Sequence, residues 1–450
     1  MTKVVVIGGD AAGMSTASKA KRDDPSLDVT VFERGDWVSY GACGLPYYVK
    51  GEIDELDELV AVTPEEFVDE RGIDLRTRHE VTAIDADRKV VEVESEDGVF
   101  EEPYDSLVVA TGARALEPPI DGLELDGVHT FRTMGSGEDV RNEVEDENPD
   151  SVGIVGGGYI GVEMAEAFRE RGADVRVFEM LPHILAPFGE DVARGVEDHM
   201  RDEGVDIHLE TAVEGIVGED GEVSAVRTEE DEYDVDLVIV GAGVKPNVEI
   251  AEEAGVETGP TGAIATDEHG RTNLPDIYAV GDCAEARNAV TGESDHVPLA
   301  LTANRQGRAV GATLAGEPTE TGPIVGTAVL KAFELEVART GVIDHERADE
   351  AGFEPVTKTI ETNSRAHYYP GGSKITVSMT ADRGSGRLLG ASMVGEEGVA
   401  HRINTVATAL HNEMTVEEVE KMDLAYAPPF SPVWDPVLTA SKVLSGSLED

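Results

Sequence analysis

The chain has 450 residues, 40% of them hydrophobic, enough for two or three domains that each bury a core. Acids outnumber bases 92 to 36, a formal net charge of -56, which excludes a nucleic-acid partner, and two cysteines exclude a disulfide framework and favour a reducing cytoplasm. No run approaches the roughly 20 apolar residues that cross a bilayer, so no membrane is expected, and the dispersed acids with only 5% aromatics read as a surface adapted to a high-salt cytoplasm.

The first element is KVVVIGGDAAGMSTASKAKRD, an apolar strand, a glycine turn and a small-residue helix, continued by the strand DVTVFERG that ends on Glu33. This is the pattern of a dinucleotide-binding βαβ unit: glycines let the backbone approach a pyrophosphate, the helix N-terminus meets its charge, and the acid accepts from a ribose. Gly8 and Gly13 stand in place, but Asp10 replaces the central glycine. Next comes SYGACGLPYYVKG, Ser39 to Gly51, where Cys43 has no C-x-x-C companion; the other cysteine is Cys283. The Gly-Leu-Pro after Cys43 reads as the opening of a helix, whose dipole would favour the thiolate.

SLVVATGARALEPPIDG is a buried strand ending in a glycine turn, a point where the chain leaves one domain for another. The second βαβ unit, SVGIVGGGYIGVEMAEAFRERG with DVRVFEML, carries a complete G-x-G-x-x-G at Gly156, Gly158 and Gly161 and closes on Glu179. Two such units imply two nucleotide sites. DLVIVGAGVKPNVEIAEEAG repeats the strand-and-exit pattern, and TNLPDIYAVGDCAEA ends a strand at Gly281 and Asp282. From about Pro323 the texture turns to alternating strand-like runs with a helix near Val399 to Asn412, a separate α+β domain.

The two units, ATG at Ala110 to Gly112, and TNLPDIYAVGD resemble, in this order and over essentially the whole chain, the FAD- and NAD(P)-dependent pyridine nucleotide-disulfide oxidoreductase family. The resemblance implies an α/β fold with two Rossmann-like dinucleotide-binding domains plus a C-terminal α+β dimerisation domain. FAD would occupy residues 1–112 and 247–322, NAD(P)H residues 113–246, and residues 323–450 would pair the subunits of a homodimer. In that family an internal redox pair has the spacing C-x-x-x-x-C; a partner would fall at Val38 or Tyr48, and neither is cysteine. SYGACGLPYYVKG is similar instead to the single-cysteine branch, which contains coenzyme A disulfide reductases, NADH oxidases and NADH peroxidases. Oxidases and peroxidases of the branch carry a histidine where this chain has Ala11.

Carried over by position, the flavin site would use Gly8, Gly9, Ala11, Ala12 and Gly13 of the first turn, then Glu33, Arg34 and Val81. Ala110, Thr111, Gly112, Gly281, Asp282 and Ala300 would complete it, with Asp282 on the ribityl chain. The nicotinamide site would use Gly156, Gly158, Tyr159, Ile160 and Gly161, with Glu163 facing the flavin's vicinity, Gly243 at the exit turn, and Glu179 on the ribose. Glu179 would favour NADH over NADPH, although Arg176 three residues earlier weakens that inference.

The expected chemistry is reduction of coenzyme A disulfide through a mixed disulfide of Cys43 with CoA. Lys19, Arg22, Ser39, Arg71, Asn304 and Arg305 are candidates to hold CoA. Tyr426 and either Tyr368 or Tyr369 would cross from the partner subunit. Cys283, with no donor or base beside it, reads as a small buried hydrophobe. His183 and His208 lack ligand spacing, so no metal is expected. The alternatives are an NADH oxidase, a reductase of polysulfide or other small disulfides, and a non-enzymatic flavin sensor.

Overall fold

The computed structural model describes residues 2–448. Strands β1 (Lys3–Ile7), β2 (Asp28–Phe32), β3 (Asp74–Arg76), β7 (Ser106–Val109) and β18 (Ile277–Ala279) form one parallel sheet in the order β18-β7-β1-β2-β3. Its strands are continuous apolar runs because both faces are covered. On one face lie α1 (Ala11–Asp23) and α7 (Ala300–Leu314); on the other, the antiparallel β4 (Glu80–Asp85), β5 (Val90–Ser95) and β6 (Gly98–Pro103). Helices α1 and α7 touch through glycines: a Cβ on Gly307 would stand 2.3 Å from the Ala12 carbonyl oxygen. That contact turns Asn304 and Arg308 toward α1.

A second parallel sheet, β12-β11-β10-β16-β9, holds β9 (Val128–Thr130), β10 (Ser151–Val155), β11 (Asp174–Phe178), β12 (Asp206–His208) and β16 (Leu237–Val240). It packs with α3 (Met134–Glu147), α4 (Tyr159–Glu170), α5 (Glu190–Asp202) and the antiparallel β13 (Val213–Glu219), β14 (Glu222–Thr228) and β15 (Glu232–Asp234). The strands β8 (Ala113–Ala115) and β17 (Val244–Pro246) pair antiparallel as a ribbon where the chain enters and leaves this sheet. The short α6 (Glu249–Glu253) and the two-residue strands β19 (Ala286–Arg287) and β20 (Ser294–Asp295) follow.

The C-terminal sheet is antiparallel, in the order β21-β22-β25-β24-β23: β21 (Ala328–Ala332), β22 (Leu335–Gly341), β23 (Pro355–Asn363), β24 (Lys374–Asp382) and β25 (Leu388–Gly395). Helices α8 (His345–Glu350), α9 (Val399–His411), α10 (Val416–Glu420) and α11 (Pro436–Leu448) accompany it. The Cys43 turn leads into α2 (Leu45–Lys50), which is buried in a core shared by all three parts: Leu45 and Val49 pack in one cluster with Phe168 and with Leu330 and Phe333. No helix among the described residues is long and apolar enough to cross a membrane.

Candidate active site

The turns after β1 and β10 are built alike. Gly8 (φ 110°) and Gly156 (φ 104°) sit in the left-handed region, and a Cβ there would stand 2.2 Å from the Ala110 oxygen and 2.6 Å from the Gly241 oxygen. Only glycine allows that approach. Gly13 and Gly161 seat the helices on the turns, with a Cβ 1.9 Å and 2.0 Å from the Gly8 and Gly156 oxygens. Neither α1 nor α4 has a side-chain N-cap bond, so the first-turn amides of Ala11, Ala12 and Gly13, and of Tyr159, Ile160 and Gly161, point at an approaching pyrophosphate. A Cβ on Gly158 would meet nothing within 4 Å, which leaves room for that group.

The strand-end acids are fixed the same way. Glu33 accepts from the amides of Gly9 (2.8 Å) and Gly35 (2.7 Å), and Glu179 from those of Gly157 (2.8 Å) and Leu181 (2.8 Å). Both carboxylates are thus held in fixed orientation beside their glycine turns, and the two cradles fit two dinucleotides. Around the first, Arg34 is exposed beyond Glu33, Val81 is buried in β4, Thr111 donates to the Asn247 oxygen at 2.6 Å, and Ala300 opens α7. Gly112 (φ 65°) and Gly243 (φ 112°) shape the exit turns.

Arg176 does not weaken the reading of Glu179. Its guanidinium donates to the Asp234 oxygen at 2.9 Å and lies 4.0 Å from Asp206, away from the glycine turn. The loop beyond Glu179 exposes Met180 and Leu181, not a base. Glu179→Ala is therefore expected to raise KM for NADH about tenfold, the loss of a hydrogen bond to a charged acceptor, and to improve use of NADPH. Steady-state kinetics with both nucleotides check it; equal loss with both would remove Glu179 from the ribose.

Cys43 sits in a single 3-10 turn, Ala42–Gly44, just before α2. The helix is where the sequence puts it, but the expected lowering of the thiol pKa is absent from the protein alone. The crowding around the otherwise exposed residue raises it, Glu163 raises it further, and Arg132 pulls it down. The helix has only six residues, so its dipole does not outweigh through-space charge and burial. Glu163 is itself pushed up to about 7 by burial and by Glu166. Tyr47, raised to about 12 by burial and then Glu163, stays neutral beside them.

Arg132 reaches across from the second sheet to pair with Asp282, while His296 Nε2 bonds to the Asp282 backbone oxygen at 2.8 Å. No local motif flagged Arg132. Cys283 is fully buried, with its sulfur near the Val109 and Val280 carbonyls.

Asp10, the departure in the first glycine turn, accepts from the Tyr40 amide at 3.3 Å and so braces the approach to Cys43. Burial first, then Glu33 and Asp282, lift it to about 6. A folded pKa above the unfolded one stabilises relative to the ionised form below the unfolded pKa, and that advantage is lost as pH rises through about 6. Two units at about 1.4 kcal/mol each set a ceiling of about 3 kcal/mol. Asp10→Asn should accordingly gain stability over the parent as pH rises from about 4 to about 6, read as a gap in urea midpoints that widens across that range and is constant above it; a pH-independent gap contradicts this.

Beside the Cys43 turn lies a cavity of about 430 Å³. Its wall includes Ser39, Tyr40 and Gly41, and it gathers Lys19 and Arg22 of α1, Arg71, and Asn304 of α7 from three separate stretches of chain. Arg305 is not among them: it donates to the Thr321 and Pro323 oxygens. Arg308, one turn after Asn304 on the face of α7 that meets α1, takes its place, and Ser15 joins by donating to Asn304 at 2.6 Å. Lys19 is paired with Asp23 (2.6 Å) and Arg71 with Glu66 (2.9 Å). Arg22 and Arg308 have no ion pair among the described residues.

The tyrosines lie apart from Cys43, on exposed loops of the C-terminal part. Tyr368 and Tyr426 share a hydrogen bond between hydroxyls at 2.8 Å, which pushes Tyr426 up and keeps it a donor. Tyr369 instead lies under Arg365, 5.8 Å from its ring. Arg402 braces both loops through the Ser364 and Phe430 oxygens (2.9 Å each). His183 and His208 pair with Glu197 and Asp206; a separate exposed group, His199, Glu203 and Glu334, brings ligand atoms within 4.8 Å, as surface ion pairs do.

The sequence model for pyridine nucleotide-disulphide oxidoreductases matches residues 2–307, and that for the dimerisation domain of the same family matches residues 327–436. The NAD(P)H coenzyme A polysulfide/persulfide reductase of Pyrococcus horikoshii is 40% identical over 443 residues, 98% of each chain. Coenzyme A disulfide reductase of Staphylococcus aureus is 30% identical over 434 residues, 96% of this chain and 97% of that one. The solved NAD-dependent persulfide reductase from A. fulgidus superposes with a TM-score of 0.96 at 39% identity, covering 100% of this chain and 84% of that one. Relatives named NADH oxidase also match.

Proposed function

The chain belongs to the pyridine nucleotide-disulphide oxidoreductase family, whose members bind FAD and NAD(P)H, and from that premise we propose that this enzyme uses FAD and NADH to reduce coenzyme A disulfide through Cys43. One observation carries the choice of substrate. In a protein with 92 acids, Arg22 and Arg308 stand without carboxylate partners among the described residues, in a cavity beside the cysteine turn, and a phosphate-rich, flexible thiol such as CoA fits them.

The first glycine cradle, Gly8 to Gly13 with Glu33, would hold FAD, which would supply hydride acceptance from the nicotinamide and electron-pair delivery to sulfur. The chain's residues do the rest. Starting from a Cys43–S–S–CoA bond, two electrons break that bond, giving Cys43 thiolate and CoA thiolate, which leaves as CoASH on taking a proton. The Cys43 thiolate attacks one sulfur of coenzyme A disulfide, reforms the mixed disulfide and expels a second CoA thiolate. The sum is NADH, one proton and one disulfide in, NAD⁺ and two CoASH out. Arg132 offsets Glu163 at the thiolate, and the amides of α1 and α4 hold the two pyrophosphates.

Exposed Tyr368, Tyr426, Phe430, Val433 and Trp434 form the patch that a second copy covers in a homodimer, placing Tyr426, with Tyr368 behind it, at the partner's Cys43 as a donor to the departing thiolate. The net charge of -56 suits a high-salt cytoplasm, where screening acts within a few ångströms. A second reading, reduction of polysulfide or persulfide at the same Cys43, is favoured by the 40% identity to a relative so named.

NADH consumption and thiol release with purified protein separate the two. Two CoASH per NADH from coenzyme A disulfide supports the first reading. Sulfide release from polysulfide without turnover of coenzyme A disulfide moves the assignment to the second, and turnover needing only oxygen moves it to an oxidase.

A further inference from the structure

Glu166 lies one turn beyond Glu163 on α4, with a side chain 4% exposed. Its Oε1 accepts from Lys50 Nζ at 2.8 Å and from Lys331 Nζ, and its Oε2 accepts from the Phe333 amide at 2.6 Å. The donors come from two other parts of the molecule. Lys50 ends α2, the helix that follows Cys43; Lys331 and Phe333 belong to β21 and the turn after it. Lys50 is also buried, 6% exposed, and pairs with Glu52 at 2.7 Å and Glu170 at 3.0 Å. Carbonyls at the end of α2 also accept from arginines, Tyr48 from Arg141 and Val49 from Arg171 at 3.0 Å. Higher on α4, Arg339 of β22 donates to the Tyr159 hydroxyl at 2.9 Å.

Apolar packing of Leu45, Val49, Phe168 and Phe333 already holds this seam closed, and burying the Glu166 carboxylate with the Lys50 ammonium carries a desolvation cost that packing alone avoids. What the ions add is direction: a carboxylate with three satisfied donors has one orientation, and it fixes the rotation and sliding of α2 against α4. We propose that Glu166 is a positioning residue that, through Lys50 and Lys331, sets the Cys43 helix against the helix of Tyr159 and Glu163 and makes that setting depend on the C-terminal domain. Glu166 touches neither substrate nor cofactor and acts through Lys50.

The inference rests on Cys43 as the electron acceptor, not on coenzyme A as the substrate. Its test therefore uses holoenzyme, hydrogen exchange on the α2 amides, and NADH-dependent reduction of a generic aromatic disulfide. Glu166→Gln is expected to speed exchange at residues 45–50 about tenfold and to lower kcat about tenfold, with KM for NADH within about twofold. Lys331→Met, which cuts only the C-terminal arm, should lower kcat about threefold and loosen α2, while Lys331→Arg keeps both at the parent values.

A folded Glu166→Gln with parental kcat, a loss confined to KM, or a Lys331→Arg as impaired as Lys331→Met would overturn the proposal. If Glu166→Gln does not fold, the two Lys331 variants decide it. A parent that turns over no disulfide at all sinks the functional reading instead, and the exchange comparison still judges the clamp.

Discussion

Cys43→Ser is expected to lower NADH-dependent disulfide reduction by at least about 10³-fold, the scale on which removal of a covalent nucleophile acts, while reduction of the bound flavin by NADH should stay within about threefold. The asymmetry follows from where the groups sit. On the proposed mechanism, hydride delivery would use the α4 turn and Glu179, whereas every later step would break or form a bond to the Cys43 sulfur. A serine hydroxyl cannot form the mixed disulfide, and Cys283, fully buried, cannot substitute. Stopped-flow reduction of the flavin beside steady-state turnover measures both. Parental turnover in Cys43→Ser would end the mechanism.

The second large effect belongs to the basic cavity. Arg22→Ala combined with Arg308→Ala should raise KM for coenzyme A disulfide by about 10² to 10³, since each hydrogen bond between charged groups contributes roughly 1.5–3 kcal/mol. The change in kcat should stay within about threefold. A small disulfide without phosphates should be reduced at the parental rate, because neither arginine bears on Cys43. Salt would weaken the parent's binding more steeply than the variant's. An unchanged KM for coenzyme A disulfide would move the substrate elsewhere on the surface.

The two nucleotide units were legible because their signal is local: glycine spacing, a following helix and a strand-end acid all fall within one stretch, and Gly8, Gly156, Glu33 and Glu179 act on neighbours in that stretch. Residues whose role needs helix phase or distant chain were harder. Arg305 and Arg308 both lie on α7, and only the glycine contact of α7 with α1 decides which faces the cavity. Arg132 meets Asp282 from the other sheet, a pairing that no local pattern encodes.

The thiol shows the same limit. A helix opening after Cys43 is visible in Gly-Leu-Pro, but the sign of its pKa shift is set by burial and by Glu163, which arrives from α4. Asp10 was visible as a broken glycine pattern; its hydrogen bond to the Tyr40 amide was not.

The central claim is that the missing second cysteine is replaced by a thiol from the substrate. Intact mass of the oxidised protein after exposure to coenzyme A disulfide tests it most directly. A coenzyme A-sized increment, lost on adding NADH and absent from Cys43→Ser, is the predicted result. A protein that turns over coenzyme A disulfide yet never carries that increment would contradict it.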